Sequence, residues 1–429
     1  MSTDTHSLSP LAPEIGTLAA LSAAAAVLPV GGGPLGVVLS PDGARAYVAG
    51  STSNTVTVLD TATEVVVATI PTGAAPRLFA FAPDGGRLYL TVAEDGLLSV
   101  IDPGTNTITT SIPVGTAPTG VAVTPDGGHV YVANQNSETV SVIDTTTDTV
   151  TATIAVGVLP TGVAVTPDGA HAYVGNIIGN SISVIDTATD TVTATIPGDS
   201  SPALVAITPD GAHAYVGNLF GGTLSVIDIA TNTITATIPV GTVPRFVTIS
   251  GNGAHVYVAN YGSNTVSVVD TATDTLTGNL RVGYGPSGVA VTSDDSLLYV
   301  TNTDDNTLSV VPLTLVPRDG SIAGGTIVTI NGHNLANASA VRFGPNRAAI
   351  LTNTATSVTV VSPAGAGAVP VTVTSPGGTG SLGYFIYFPP PLITGISPAE
   401  GSTDGRTAVI TGFNLSGATA VSIGPSPVA

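Results

Sequence analysis

Four histidines stand in one register, 42 residues apart, at His129, His171, His213 and His255. Imidazoles repeated in this way are one route to a metal site. Carboxylates recur in two further registers. One holds Asp42, Asp84, Asp126, Asp168 and Asp210; the other holds Asp60, Asp102, Asp144, Asp186, Asp228 and Asp270, with Asp148, Asp190 and Asp274 close behind. Such oxygen-rich rows are the raw material of a calcium site. Basic groups are scarce: the chain has 9 Lys plus Arg, all of them Arg, against 28 Asp plus Glu, for a formal net charge of −19. Without Lys there is no Schiff base and no P-loop lysine, and with 0 Cys there is no disulfide, thiolate metal site or Cys nucleophile. A chain this acidic can supply little of the basic face that displaces counterions from phosphates, so no nucleic acid is expected as a partner and anionic membrane surfaces are disfavoured.

The spacing that aligns these groups belongs to an internal repeat. Tyr recurs at Tyr47, Tyr89, Tyr131, Tyr173, Tyr215, Tyr257 and Tyr299, always 42 residues apart. A Pro-Asp-Gly turn precedes five of the seven, at Pro41, Pro83, Pro125, Pro167 and Pro209; the last two copies read Gly251-Asn252-Gly253 and Ser293-Asp294-Asp295. Each unit carries four short strand-like runs, in the third copy 120–124, 129–134, 139–143 and 149–156. Between them lie a Pro-Asp-Gly turn, a Ser/Asn/Gly turn, an Asp-Thr turn and a Gly-x-x-Pro connector. In such turns Gly supplies positive φ, Pro presets φ, and Asp bonds the backbone two residues on. Four antiparallel strands in a unit of this length form one blade of a β-propeller, and seven units make a seven-bladed ring. The seventh copy stops at Pro312 without its fourth strand, while residues 24–30 hold a fourth-strand register. The N-terminus is therefore expected to complete the last blade and remove its open edge.

The chain resembles the YVTN family of β-propeller repeat proteins. The signature stands verbatim at Tyr299-Val300-Thr301-Asn302, with near copies at 131–134 and 257–260. WD40 fits less well because there is no Trp, and kelch because its period is longer. The expected fold class is thus all-β, a seven-bladed propeller over residues 21–312 after an N-terminal extension, 1–20. From Leu313 a new pattern begins, with Gly324-Gly325-Thr326-Ile327-Val328-Thr329-Ile330 and Val341-Arg342-Phe343-Gly344. It resembles the IPT/TIG family of immunoglobulin-like domains over 313–388. After Pro389-Pro390-Pro391 the first half of a second copy follows, 389–429. The N-terminus carries Asp4 and Glu14 but no basic n-region, so no signal peptide is visible, and no apolar run is long enough to insert in a membrane.

A ring of blades decides what the repeated side chains can do. Neighbouring blades are turned by about 51°, which puts equivalent side chains ~9 Å apart at a radius of ~10 Å. One zinc needs every nitrogen at ~2.1 Å, so the four histidines read as a polar start to the second strand and no metal is expected. The aspartates follow the turns at one end of the ring, where turn chemistry accounts for them without calcium; no D-x-D-x-D-G loop is present. At the other end the residue after each connector Pro is Leu35, Arg77, Thr119, Thr161, Ala203, Arg245 or Ser287. This channel mouth contains neither carboxylate nor His, so no catalytic residue is assigned and no cofactor is expected; Arg77 and Arg245 are the groups that can grip an anion.

On the same face, the loops between second and third strands are polar or small in four blades. In the fourth to sixth they carry Ile177-Ile178, Leu219-Phe220 and Tyr261. With Arg245 and the connector residue Tyr284, these side chains form a candidate binding patch. The alternative is that they cover one another or dock the immunoglobulin-like module. The resemblance to YVTN propellers joined to immunoglobulin-like modules implies a non-catalytic binding or scaffold protein of a bacterial cell surface or secreted fraction. A monomer is expected, recognising a protein or glycan ligand. The competing reading is a propeller enzyme of lactonase or lyase type.

Overall fold

The computed structural model describes residues 26–413, except 314, 318, 332–334, 355–356, 377, 389–391 and 398–408. Every regular element among the described residues is a β-strand. The chain from Ala26 to Pro312 forms seven four-stranded antiparallel sheets, six of them from four consecutive strands. The third is representative, with Pro118–Val123 innermost, then His129–Asn134, Thr139–Asp144 and Thr149–Ala155 outermost. The innermost strands touch their neighbours all the way round, the first against the seventh included, so the ring is closed.

Closure is achieved as the sequence implies. The fourth strand of the seventh blade is Ala26–Pro29, paired antiparallel to Thr307–Pro312 with Ala26 opposite Val310 and Pro29 opposite Thr307. The Val30 N–H bonds the Asn306 carbonyl at 3.2 Å, and the Gly33 N–H bonds Asn306 Oδ1 at 2.7 Å. Ala26 and Leu28 pack on the apolar layer between the seventh and first blades.

Why the middle strands are apolar on both faces is now visible. The core of the ring consists of layers between blades, each built from two sheets. Tyr47, Val56 and Val58 of the first blade, for example, meet Leu88, Leu90 and Val92 of the second. Each repeated Tyr is buried in such a layer. In Tyr47, Tyr131, Tyr173 and Tyr215 the hydroxyl reaches the next blade and donates to the residue that ends the Asp-Thr turn. Tyr131 bonds Asp190 at 3.0 Å, Tyr173 bonds Asn232 at 2.6 Å, and Tyr215 bonds Asp274 at 2.7 Å. The repeat thus supplies both halves of a latch between blades, 59 residues apart. At the sixth blade the residue 59 positions on is Val316, and Tyr257 lies instead in an apolar cluster with Leu313 and Val316.

The signature tetrapeptide divides the labour. Tyr299 and Val300 are core, and the Thr301 hydroxyl donates to the Leu35 carbonyl of the first blade at 2.7 Å. Buried Asn302 donates to Thr307 Oγ1 and Ser309 Oγ, both at 2.9 Å, and so holds the turn above it.

Beyond the ring, two sheets enclose a second core. One has strand order Leu315–Val316, Ile327–Asn331, Ser357–Val361, Ala349–Asn353. The other runs Asp319–Ser321, Gly378–Phe388, Gly367–Ser375, Ala340–Phe343, Asn346–Arg347. Val328, Ile330, Phe343 and Phe385 fill the space between them, and the Phe343 and Phe385 rings meet edge to face at 4.9 Å. This sandwich docks on the outer strand of the sixth blade, Thr275–Arg281, where the repeat departs from its own pattern. Gly278 replaces the Ala68, Ala152, Ala194 and Ala236 of other blades, and a Cβ there would stand 3.2 Å from Pro317 Cβ. Arg281 stands where most blades have Pro; it faces Asp319 at 3.8 Å and covers the Phe388 ring at 4.9 Å. Farther on, Leu392–Ser397 pairs with Val409–Phe413 as a hairpin; the N-terminal extension and the rest of the expected second copy lie outside the described residues.

The latch can be tested with two substitutions of the same type. Tyr215→Phe removes a made hydrogen bond and should cost about 1 kcal/mol. The Tyr299 hydroxyl is buried with no partner, so Tyr299→Phe should be neutral or stabilising. Chemical denaturation of both variants reads the difference; equal losses would show that the hydroxyls do not latch the blades.

Candidate functional site

The two ends of the ring differ in chemistry because alternate turns of each blade share an end. At the turn end, the aspartates are engaged by their own backbone. Asp126 Oδ1 accepts the Thr124 hydroxyl at 2.6 Å and the Gly128 N–H at 2.9 Å. Asp144 Oδ1 accepts the N–H groups of Thr146 and Thr147 at 2.8 and 2.9 Å, together with both hydroxyls. These bonds, the Thr146 hydroxyl first, hold the Asp144 carboxyl at about 2. Asp60, Asp126, Asp168, Asp186, Asp210 and Asp228 are likewise held below the usual range, mainly by their threonine neighbours. Among the described residues no group of three or more His, Cys, Asp or Glu is placed to hold a metal ion.

The connector end is where side chains are left over. Ile178 is 68% exposed, Phe220 75% and Tyr284 66%. Two members of the expected patch behave differently. Ile177 is buried, its N–H bonded to the Leu159 carbonyl at 3.1 Å, and so it leaves the patch. Leu219 is half-buried, with its N–H on the Ser201 carbonyl at 3.0 Å. In each loop the residue that closes the turn is drawn inward by its backbone bond to the connector, and only the next side chain projects. The immunoglobulin-like module does not cover Ile178, Phe220 or Tyr284, because its dock is the outer edge of the sixth blade.

Tyr261 is not a free apolar contact but the centre of a polar cluster. The Arg245 guanidinium lies 3.7 Å over its ring. The Tyr261 hydroxyl donates to Asp304 Oδ1 of the seventh blade at 2.9 Å, and this bond pushes the phenol above its ordinary value. Arg245 also reaches Ser287 Oγ at 3.4 Å, which stands 2.7 Å from the Thr303 hydroxyl oxygen. The connector runs close beneath: Gly285 has φ +66°, and a Cβ there would stand 2.8 Å from Tyr261 Cε2 and 2.6 Å from Asp304 Oδ2. Only glycine fits. Tyr284, just before it, is held by its N–H on Asp305 Oδ2 at 2.6 Å and projects beside the cluster. Asp304 was not foreseen; its loop reads as plain polar sequence, and its role follows from the ring placing it next to Tyr261.

Arg77 stands apart, on the second blade. Its Nε is buried and has no hydrogen-bond partner. Burial pushes the guanidinium below its ordinary value, and the charge of Glu94 acts against that. Among the described residues neither Arg77 nor Arg245 forms an ion pair, whereas Arg45, Arg87 and Arg281 pair with Asp60, Asp148 and Asp319.

Comparison with known proteins accords with this architecture. Residues 10–167 and 164–282 match the family described as "Lactonase, 7-bladed beta-propeller", and residues 311–387 match the IPT/TIG domain. Among solved structures, Kuenenia stuttgartiensis hydrazine synthase superposes with a TM-score of 0.60 at 23% identity, over 66% of this chain and 96% of that one, a likeness of fold. No curated protein matches the chain.

The turn aspartates predict an acid limit. A carboxyl held below its unfolded value of about 3.9 contributes its full stabilisation above that pH and loses it as pH falls through the folded value. Asp295 and Asp319, pushed up by burial, work in the opposite sense but are outnumbered. The melting temperature should fall steeply between about pH 4 and pH 2 in scanning calorimetry; a flat or rising profile there would show that these bonds do not stabilise the fold.

Proposed function

Because the chain belongs to the seven-bladed β-propeller lactonase family and carries an IPT/TIG domain behind its propeller, we propose that it is a non-catalytic binding protein of a bacterial cell exterior. Its connector face recognises a protein or glycan. The observation that carries this reading is the exposure of Ile178, Phe220 and Tyr284 on loops that are polar in most other blades, beside the Arg245–Tyr261–Asp304 cluster. Exposed apolar side chains gathered on one face mark interaction sites more often than scattered ones do. The aromatic and arginine content is that of binding hot spots. The joining of propeller and immunoglobulin-like modules supports the location.

Lactone hydrolysis is the second reading, and the family match favours it. It needs a base and an oxyanion stabiliser around one reacting atom. At the mouth, Asp304 is engaged by the Tyr261 hydroxyl and Arg245 is stacked on the Tyr261 ring. That arrangement suits holding better than proton transfer.

A chain carrying Ile178→Ser, Phe220→Ser and Tyr284→Ser should melt as the parent does, since these side chains contribute little burial, yet lose at least tenfold in capture of its ligand from a cell-surface extract. Unchanged capture would remove the binding face from the account. Turnover of a panel of γ- and δ-lactones by the parent, abolished by Asp304→Asn, would establish the enzyme reading instead.

A further inference from the structure

Arginine is scarce in this chain, 9 basic residues against 28 acidic ones, and three of the five described arginines of the propeller stand against a carboxylate. The two that do not, Arg77 and Arg245, are both the first residue after a connector proline, at the rim of the channel. In a molecule with this surplus of carboxylates, two unpaired guanidiniums at equivalent positions of the ring are conspicuous. Three acids of the same face are already engaged. Asp95 Oδ2 accepts the Ala74 N–H at 2.8 Å, Asp305 Oδ2 the Tyr284 N–H, and Asp304 the Tyr261 hydroxyl. Most of the remaining carboxylates are on the turns at the opposite end; Glu94, on this face, adds its charge near Arg77 but forms no ion pair with it.

Arg77 adds the decisive detail. Its Nε–H is buried without an acceptor, although a buried donor left unpaired is costly and native structures rarely retain one. Its neighbours in the ring, Leu35 and Thr119, offer no charge. A planar guanidinium with unmet donors matches the two oxygens of a carboxylate. Exposed large hydrophobic side chains stand on the same face: Ile178, Phe220 and Tyr284.

We propose that the channel mouth is a carboxylate site, with Arg77 as its principal ligand and Arg245 as a second positive charge across the ring, and that the carboxylate is the free C-terminus of a peptide whose apolar side chains rest on Phe220 and Tyr284. Capture of a chain terminus by fixed donors, with specificity from flanking apolar contacts, is a known mode of peptide recognition. The proposal rests on the binding reading given above and names the class of its ligand.

Two probes that differ by one charge test it. An N-acetylated hexapeptide ending in leucyl-phenylalanine, long enough at ~3.3 Å per residue to reach from the Arg77 blade towards the Phe220 blade, should with a free carboxylate bind the full chain at least tenfold tighter than its C-terminal amide, by isothermal titration at low salt. Arg77→Gln should bring the acid down to the level of the amide; Arg245→Gln should weaken the acid by a smaller factor. Because Arg77 forms no ion pair and its Nε is unsatisfied, Arg77→Met should melt no lower than the parent. A lower melting temperature would mark Arg77 as a structural residue and overturn the assignment, as would equal binding of acid and amide or the absence of binding by either. If acid and amide behave alike while Ile178→Ser with Phe220→Ser still abolishes ligand capture, the face binds by apolar contact and only the carboxylate site falls.

Discussion

A four-stranded blade has two apolar faces and no means of covering either by itself. Each face is buried only by the adjacent blade, so the stability of every sheet depends on the ring being complete. The weak point is the seam between last and first blades. There the chain solves the problem with residues from its two ends: Ala26–Pro29 lies against Thr307–Pro312, and Thr301 and Thr303 donate across the seam to the carbonyls of Leu35 and Pro34. The Tyr-to-Asp or Tyr-to-Asn latches repeat the same logic within the ring, each tying a strand to the turn of the next blade. The connector-face site depends on the same packing of neighbouring blades, since Tyr261 and Arg245 come from the sixth blade and Ser287 and Asp304 from the seventh.

Much of this was legible in the sequence because a repeat reports itself many times. The blade count, the strand positions, the N-terminal strand of the last blade and the change of pattern at Leu313 all follow from the register. What a register cannot report is how the copies differ in use. Ile177 and Ile178 are adjacent and chemically alike; a backbone bond to Leu159 buries the first and leaves the second projecting. Tyr261 reads as an apolar side chain until the ring sets Asp304 within reach of its hydroxyl. The dock of the immunoglobulin-like module was missed, yet its signal was present. Gly278 and Arg281 break the consensus of the outer strands where Pro317, Asp319 and Phe388 arrive. In a repeat protein the conserved positions build the scaffold and the departures mark where something else binds.

The same reasoning separates the two ends of the ring. The aspartates of the turn end recur in nearly every blade and are spent on their own turns, which is the mark of scaffold. The connector end varies from blade to blade, with exposed Ile178 and Phe220 in two blades, Arg77 in a third, and Arg245 with Tyr261 in a fourth. Variation on a fixed frame is how a propeller acquires a site without disturbing its core.

The account stands on closure by the N-terminal strand, and removing that strand tests it directly. A chain beginning at Gly31 keeps all seven inner strands but leaves the Thr307–Pro312 edge and the apolar layer behind it open. It should lose its sharp melting transition at the parent temperature and elute in part as self-associated species, because an open apolar edge pairs with other chains. Melting at the parent temperature with monomeric elution would show that the ring closes without Ala26–Pro29, and the dependence argued here would be wrong.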